Sequence, residues 1–322
     1  MKKLVNFILK PFKLELQHRD VRWERDAFAK LYESQILSEA KENENLVECV
    51  IFSKDRALQL HALLGSYYGK VVVPAPVHVL YQASDRPHKE SYEELVNIFS
   101  SKNISFIKQN NHNSFRTDLI ELLLSIQSQK IFFLVDDIIF IENLDLYDFC
   151  KFDTYQFIPS LRMGLNLRRC FPIQQEQPLP EWISEKIEDE DKLCWEWKSG
   201  IHDWGYPFSV DGHLFSTREI TTISQLISFN APNTFEDGLQ KFSRFFLSRL
   251  GVCYKKSKIV NIPCNKVQLE NANIHGNINQ DFLLEQWQKG LQMNYRQLYG
   301  FINESAHQEI AFELIPRPPV SG

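Results

Sequence analysis

Residues 130–141 read Lys-Ile-Phe-Phe-Leu-Val-Asp-Asp-Ile-Ile-Phe-Ile, and few folds can accommodate such a stretch. Ile131 to Val135 is an unbroken β-branched and aromatic run without polar alternation, the signature of a strand covered on both faces. Asp136 and Asp137 follow at once, before a second apolar segment from Ile138 to Ile141. Adjacent carboxylates in apolar surroundings are costly unless a cation, a proton or hydrogen bonds neutralise them. A divalent metal at the carboxyl end of the strand is the simplest account, because ligands of open α/β sheets bind there. The competing account is a turn carrying two solvated acids.

Upstream, the pattern alternates. Leu46 to Phe52 reads as a strand, and Ala57 to Tyr68 as a helix with Leu60, Leu63 and Leu64 on one face. Pro74 and Pro76 break the chain before a strand from Val77 to Tyr81. A helix over 89–101 and a strand from Ile104 to Ile107 follow. Ser114 is placed to cap a helix whose Leu119, Leu122, Leu123 and Ile126 form a core-facing stripe. A β-α-β-α-β-α-β series predicts a mostly parallel sheet with right-handed crossovers.

Beyond Ile141 the rhythm changes. Residues 150–215 are rich in aromatics, prolines and turn residues, and 185–192 is a charged run that reads as a solvated helix or loop. Three tryptophans crowd Cys194 to Phe208, as plain core or as a wall of aromatic faces. A strand over 209–216, helices over 218–229 and 235–250, a strand over 257–262 and a helix over 280–299 complete the reading. Residues 1–45 read as an N-terminal helical extension (helix from Val21 to Ala40), 46–280 as the main domain, and 281–322 as a C-terminal helix and tail.

A formal charge of −5 gives no support for a nucleic-acid partner. The six cysteines are widely spaced with no Cys-x-x-Cys pair, which favours free thiols in a reducing cytosol. No apolar run approaches the roughly 20 residues of a membrane helix. The opening Met-Lys-Lys-Leu-Val-Asn-Phe-Ile-Leu-Lys-Pro-Phe-Lys is interrupted by Asn6 and Lys10, unlike a signal peptide. A peripheral membrane-surface segment and an element packed on the domain both stay open. The expected location is cytoplasmic, with or without that peripheral contact.

Five features then occur in a telling order: Ser53-Lys54-Asp55-Arg56 after the first strand, Asp85 after the second, Arg116 opening the helix before the acidic strand, Asp136-Asp137, and Glu236-Asp237 opening a later helix. This order resembles an inverting, family 2-like glycosyltransferase of the GT-A fold. The resemblance covers roughly residues 46–280 by pattern. It implies a Rossmann-like, mixed but mostly parallel central sheet flanked by helices, with extra N- and C-terminal helices. Residues 46–141 would form the nucleotide-binding half and 142–280 the acceptor half.

Laid on the family's Asp-x-Asp motif, the chain has Val135 where the first acid stands, Asp136 in the middle and Asp137 last. The resemblance makes Asp137 a ligand of Mn²⁺ or Mg²⁺ and Asp136 a ribose or donor-sugar contact. Ser53, Asp55, Arg56 and Asp85 would lie by the nucleotide, with Arg116 pairing one of these acids. His275 would be a metal ligand or diphosphate contact, although a lone histidine is more often structural. Asp211-Gly212 resembles the acceptor loop, where glycine lets a backbone approach the sugar, and Trp204 would stack on the acceptor, as would Trp195, Trp197 or Tyr206. One acid of Glu236-Asp237, with Asp237 slightly favoured, would be the catalytic base. Acids at a helix start also suit the helix dipole without any catalysis. The implied partners are a nucleotide-diphospho-sugar, with a uridine diphospho-sugar favoured, and a glycan, lipid-linked or protein acceptor. Two alternatives remain: a non-catalytic sugar- or nucleotide-binding protein of the same fold, and a nucleotidyltransferase, whose usual Gly-rich phosphate loop is absent here.

Overall fold

A computed structural model describes residues 26–27, 47–110, 114–183, 189, 191–264 and 279–318. The N-terminal helix expected from Val21 to Ala40, and the contact expected of the N-terminal segment, lie outside this set. The alternating half of the chain forms β1 (Val47–Lys54), α1 (Ala57–Lys70), β2 (Val77–Gln82), α2 (Arg86–Ile98), β3 (Ile104–Lys108), α3 (Phe115–Ser125) and β4 (Lys130–Val135). The second half adds β5 (Ile138–Phe140), β6 (Phe157–Ser160), β7 (Lys192–Glu196), β8 (Leu214–Ser216), α4 (Thr217–Leu226), α5 (Pro232–Gln240), β9 (Leu250–Tyr254), β10 (Ile259–Asn261) and α6 (Gln280–Gln288).

The central sheet has the order β3-β2-β1-β4-β8. Its first four strands are parallel, and β8 runs antiparallel on the β4 edge. β1 is the hinge of the topology: Cys49 pairs with Val77 on one side and with Phe132 on the other. The chain builds outward from β1 to β3, and α3 then carries it back across to the opposite side of β1. Consequently α1 and α2 pack on one face, against Cys49, Ile51, Phe132 and Leu134. The stripe Leu119, Leu122 and Leu123 of α3 packs on the other, against Val50, Phe52, Ile131 and Phe133. All four residues from Ile131 to Leu134 are fully buried, as their unbroken apolar run demands. The reversal of strand order falls between β1 and β4, and this is where such sheets open a ligand crevice at their carboxyl ends.

β4 ends at Asp136-Asp137, a turn from which the chain leaves the central sheet and enters β5. β5 pairs antiparallel with β10. A separate three-stranded sheet, β7-β9-β6, lies beyond it; none of its strands was legible in the sequence. The helix expected over 235–250 spans only Pro232–Gln240, because a 3-10 turn at Ser243–Phe245 and then β9 replace its second half. The helix expected over 280–299 stops at Gln288, where Gly290 adopts φ +77° and releases the chain. The segment after it returns along β10: the Asn261 N–H donates to the Ala306 carbonyl at 2.9 Å, and the Gln308 N–H to the Asn261 carbonyl at 2.9 Å. All six cysteines are buried and free. Among the described residues, no helix is long and apolar enough to cross a membrane.

Candidate active site

The crevice between β1 and β4 holds the acidic doublet. Asp136 is tied to the end of β1. Its Oδ2 accepts from Ser53 Oγ at 2.8 Å and from the Lys54 N–H at 3.3 Å. Arg56, just before α1, places a single nitrogen, Nη1, 3.0 Å from Asp136 Oδ1 and 3.0 Å from Asp137 Oδ2. The doublet sits on a turn, as the competing reading had it, but its carboxylates are held by Ser53 and Arg56 and are not simply solvated. Burial raises Asp136 above the usual carboxylate range, opposed by Arg56 and Ser53. Burial also pushes Asp137 up to about 6, with the neighbouring Asp136 and Asp211 charges adding to the rise and Arg56 and His307 opposing it. Arg56 therefore works on the acids themselves, where the sequence suggested a base or ribose contact.

The remaining polar positions of this half hold the loops. Asp55, at φ +55°, accepts from the Ser84 N–H at 2.7 Å and Ser84 Oγ at 2.6 Å, which ties the end of β1 to the end of β2. Asp85 is exposed and caps α2, accepting from the His88 N–H at 2.9 Å. Arg116 is a correction. It pairs with no acid of the crevice but donates to the carbonyls of Ile227 at 2.8 Å and Gln225 at 2.7 Å. These lie at the end of α4, where helix carbonyls lack partners of their own.

A second polar centre faces the first from the other half of the chain. The Gly212 N–H donates to the Phe133 carbonyl at 2.8 Å, which docks the Asp211-Gly212 turn on β4. Gly212 has φ +75°, and a Cβ there would sit 2.7 Å from Ile259 Cδ1, so glycine is required by conformation and by space. Asp211 Oδ2 accepts from His307 Nε2 at 3.0 Å and lies 3.5 Å from Arg162 Nη1. Burial would raise Asp211, but the His307 hydrogen bond and the charges of His307 and Arg162 outweigh it, so the group is lowered. Burial would likewise lower His307, and Asp211 reverses this, so the imidazole is raised.

Glu236 turns inward beside this centre. Its Oε1 accepts from the Tyr206 hydroxyl at 2.9 Å and its Oε2 from the Val210 N–H at 2.7 Å. Burial, followed by the Asp211 charge, pushes its carboxyl up to about 7. Asp237, by contrast, is exposed on α5. Trp204 is a second correction. It is fully buried in a tryptophan cluster, 5.0 Å from Trp195 and 5.5 Å from Trp182. Trp195 and Trp197 are fully buried too, so no ring of the three faces a ligand. His275 lies outside the described residues. Arg162 and His307 were missed by sequence reasoning. Each is an isolated ionisable residue whose importance arises only from the partner the fold brings to it.

Among the described residues, no group of three or more His, Cys, Asp and Glu side chains converges as a metal site. The donor chemistry nevertheless fits a hard divalent cation. Asp137 Oδ1 and Asp211 Oδ1 are both buried without a hydrogen-bond partner among the described residues, and the two carboxylates interact electrostatically. Mg²⁺-type ions need only one or two protein carboxylates, since waters and phosphate oxygens supply the rest.

No family model matches the sequence. Over 221 residues the chain is 26% identical to a bifunctional glycosyltransferase, pgtA, of Dictyostelium discoideum; the match spans 61% of this chain and 28% of that protein. Solved structures overlap more loosely. GalNAc-T7, crystallised with UDP, GalNAc and Mn²⁺, covers 71% of this chain and 45% of its own at 10% identity and a TM-score of 0.45. A nucleotidyl transferase of Methanothermobacter thermautotroptrophicus covers 66% and 89% at 8% identity and a TM-score of 0.37. The chain is thus similar in sequence to part of a glycosyltransferase, in keeping with the resemblance its motif order suggested, and its central sheet is mixed and mostly parallel.

Proposed function

We propose that this chain transfers a sugar from a nucleotide-diphospho-sugar, with a uridine diphospho-sugar as the first donor to test, to an acceptor hydroxyl of a glycan, a lipid-linked sugar or a protein. One observation carries the reading: an acidic doublet at the topological switch point in which one Asp137 oxygen has no hydrogen-bond partner among the described residues, as has one oxygen of Asp211, whose charge acts on Asp137. The similarity to a curated glycosyltransferase supports it.

In this reading the switch-point crevice takes the donor. Ser53, Lys54 and Arg56 hold Asp136 and orient the doublet, and Asp55 keeps the β1 and β2 loops together at the nucleotide end. Asp137 would hold a divalent cation, with Asp211 as its natural second donor, and the cation would offset charge on the departing diphosphate. Glu236 is the proposed base. Ionised, it takes the proton of the acceptor hydroxyl; that oxygen bonds the anomeric carbon as the bond from this carbon to the diphosphate oxygen breaks. Such a displacement inverts the anomeric centre. Tyr206 and the Val210 N–H aim the carboxylate. The test is donor turnover. The protein, supplied with Mn²⁺, is expected to release nucleoside diphosphate from at least one uridine, guanosine or thymidine diphospho-sugar. Failure to bind or cleave any of them removes the proposal.

A further inference from the structure

Arg162 follows β6 and is buried, at 4% exposure. Its guanidinium fork reaches three groups of a single loop. Nη2 donates to the Asp203 carboxylate, Nη1 donates to Ser209 Oγ at 2.8 Å, and the same Nη1 lies 3.5 Å from Asp211 Oδ2. The fork therefore clamps the loop 203–211 near both its ends. Glu236 grips the same loop from the opposite side, through the Tyr206 hydroxyl and the Val210 N–H. The Val210 amide lies between the two residues, Ser209 and Asp211, that Arg162 holds. The Glu236 carboxylate thus bonds a loop that Arg162 holds near both ends, with Gln177 also bonding Asp203 and Gln240 the Phe208 carbonyl.

We propose that Arg162 is a positioning residue that fixes Asp211 and Glu236 in the arrangement needed for sugar transfer, a role that rests on the glycosyltransferase reading. It acts through the loop: two nitrogens of one rigid, planar fork bond Asp203 and Ser209 at a fixed separation, a geometry that the single rotating nitrogen of a lysine does not reproduce. Misplacement of a reacting group by about 1 Å can cost on the order of 100-fold in rate, so a small slip of the loop is read directly in kcat.

Arg162→Lys is the informative change, since it keeps the buried charge and removes the fork. Arg249→Lys is the matched control: Arg249 forms a comparably buried ion pair with Glu219 and bonds the Thr154 carbonyl, both groups outside the loop. All variants are compared at equal folded concentration and saturating donor. R162K is expected to bind donor within about twofold of wild type and to lose at least about 10-fold in kcat. R249K is expected to lower the melting temperature and to keep kcat within about twofold. Ser209→Ala, which keeps the ion pairs and deletes one arm of the clamp together with the bond from the Asp211 N–H to Ser209 Oγ at 3.2 Å, is expected to lose severalfold in kcat with little change in melting temperature, and unchanged kcat in it counts against the clamp should R162K not fold. Wild-type kcat in R162K, or in S209A if R162K does not fold, overturns the role, as does an equal loss in R249K. A wild-type protein that turns over no nucleotide sugar overturns the underlying reading instead.

Discussion

The Asp211 carboxylate accepts a hydrogen bond from the His307 imidazole at 3.0 Å, and this bond joins the β4-docked turn to the returning C-terminal segment. Asparagine at 307 removes the cation. The raised His307 contributes stability that is complete below its unfolded pKa of about 6.5 and lost as pH climbs through its folded value. The lowered Asp211 contributes above its unfolded value and loses its contribution as pH falls through the folded one. His307→Asn should therefore cost most between about pH 4 and pH 6.5, roughly 1 to 3 kcal/mol, and less at pH 9. Urea unfolding of both proteins across this range measures the difference.

Asp137 works in the opposite sense. Its folded value near 6 lies above the unfolded 3.8, so the stability tied to its proton is present below about pH 4 and lost as pH rises through 6. Asp137→Asn should stabilise the chelated protein at pH 8, on the order of 2 kcal/mol, and change nothing at pH 4. The same substitution should abolish cation-dependent donor binding. A stabilising change that removes binding is the mark of a residue kept for function. Unfolding with chelator, paired with calorimetric titration of donor, reads both effects.

Glu236 gives a kinetic signature. A base held near 7 in the free protein is half ionised there and mostly ionised above it, so kcat/KM should rise through an acid limb centred near pH 7. Glu236→Gln should retain donor binding and lose transfer by 100-fold or more. Asp237→Asn, altering an exposed acid, should change kcat by less than about threefold. The pH dependence of kcat/KM in the three proteins tests the order of the two acids.

Trp204 belongs to the core. Trp204→Phe should lower stability by about 1 to 3 kcal/mol through the space it leaves and leave the Michaelis constant for acceptor within about twofold. A large rise in that constant without loss of stability would return the residue to the ligand-facing surface.

Some of this was legible in advance. The unbroken run Ile131–Val135 can only be a strand covered twice, and the alternation before it orders β1 to β4 and their crossovers. The doublet at its end and the Asp211-Gly212 turn were legible as local features, since acids beside apolar strands and a turn glycine are local signals; the partners that hold them, Arg56, Arg162 and His307, were not. Arg116 was misread because a cation at a helix start says nothing about which carbonyls or carboxylates the fold will bring to it. Trp204 was misread because an aromatic cluster looks the same as core and as ligand wall. His307 was invisible for a deeper reason. It stands in an irregular stretch with no periodicity, and only its pairing along β10 carries it to Asp211.

The central claim is that Asp137 anchors a cation-assisted nucleotide-sugar site. Titration of wild type and Asp137→Ala with a panel of nucleotide-diphospho-sugars, with Mn²⁺ and with chelator, tests it most directly. The account predicts saturable binding of at least one donor by the wild type with Mn²⁺, lost on chelation and lost in the variant. Donor binding that survives unchanged in Asp137→Ala, or a wild type that binds no donor under either condition, would contradict it.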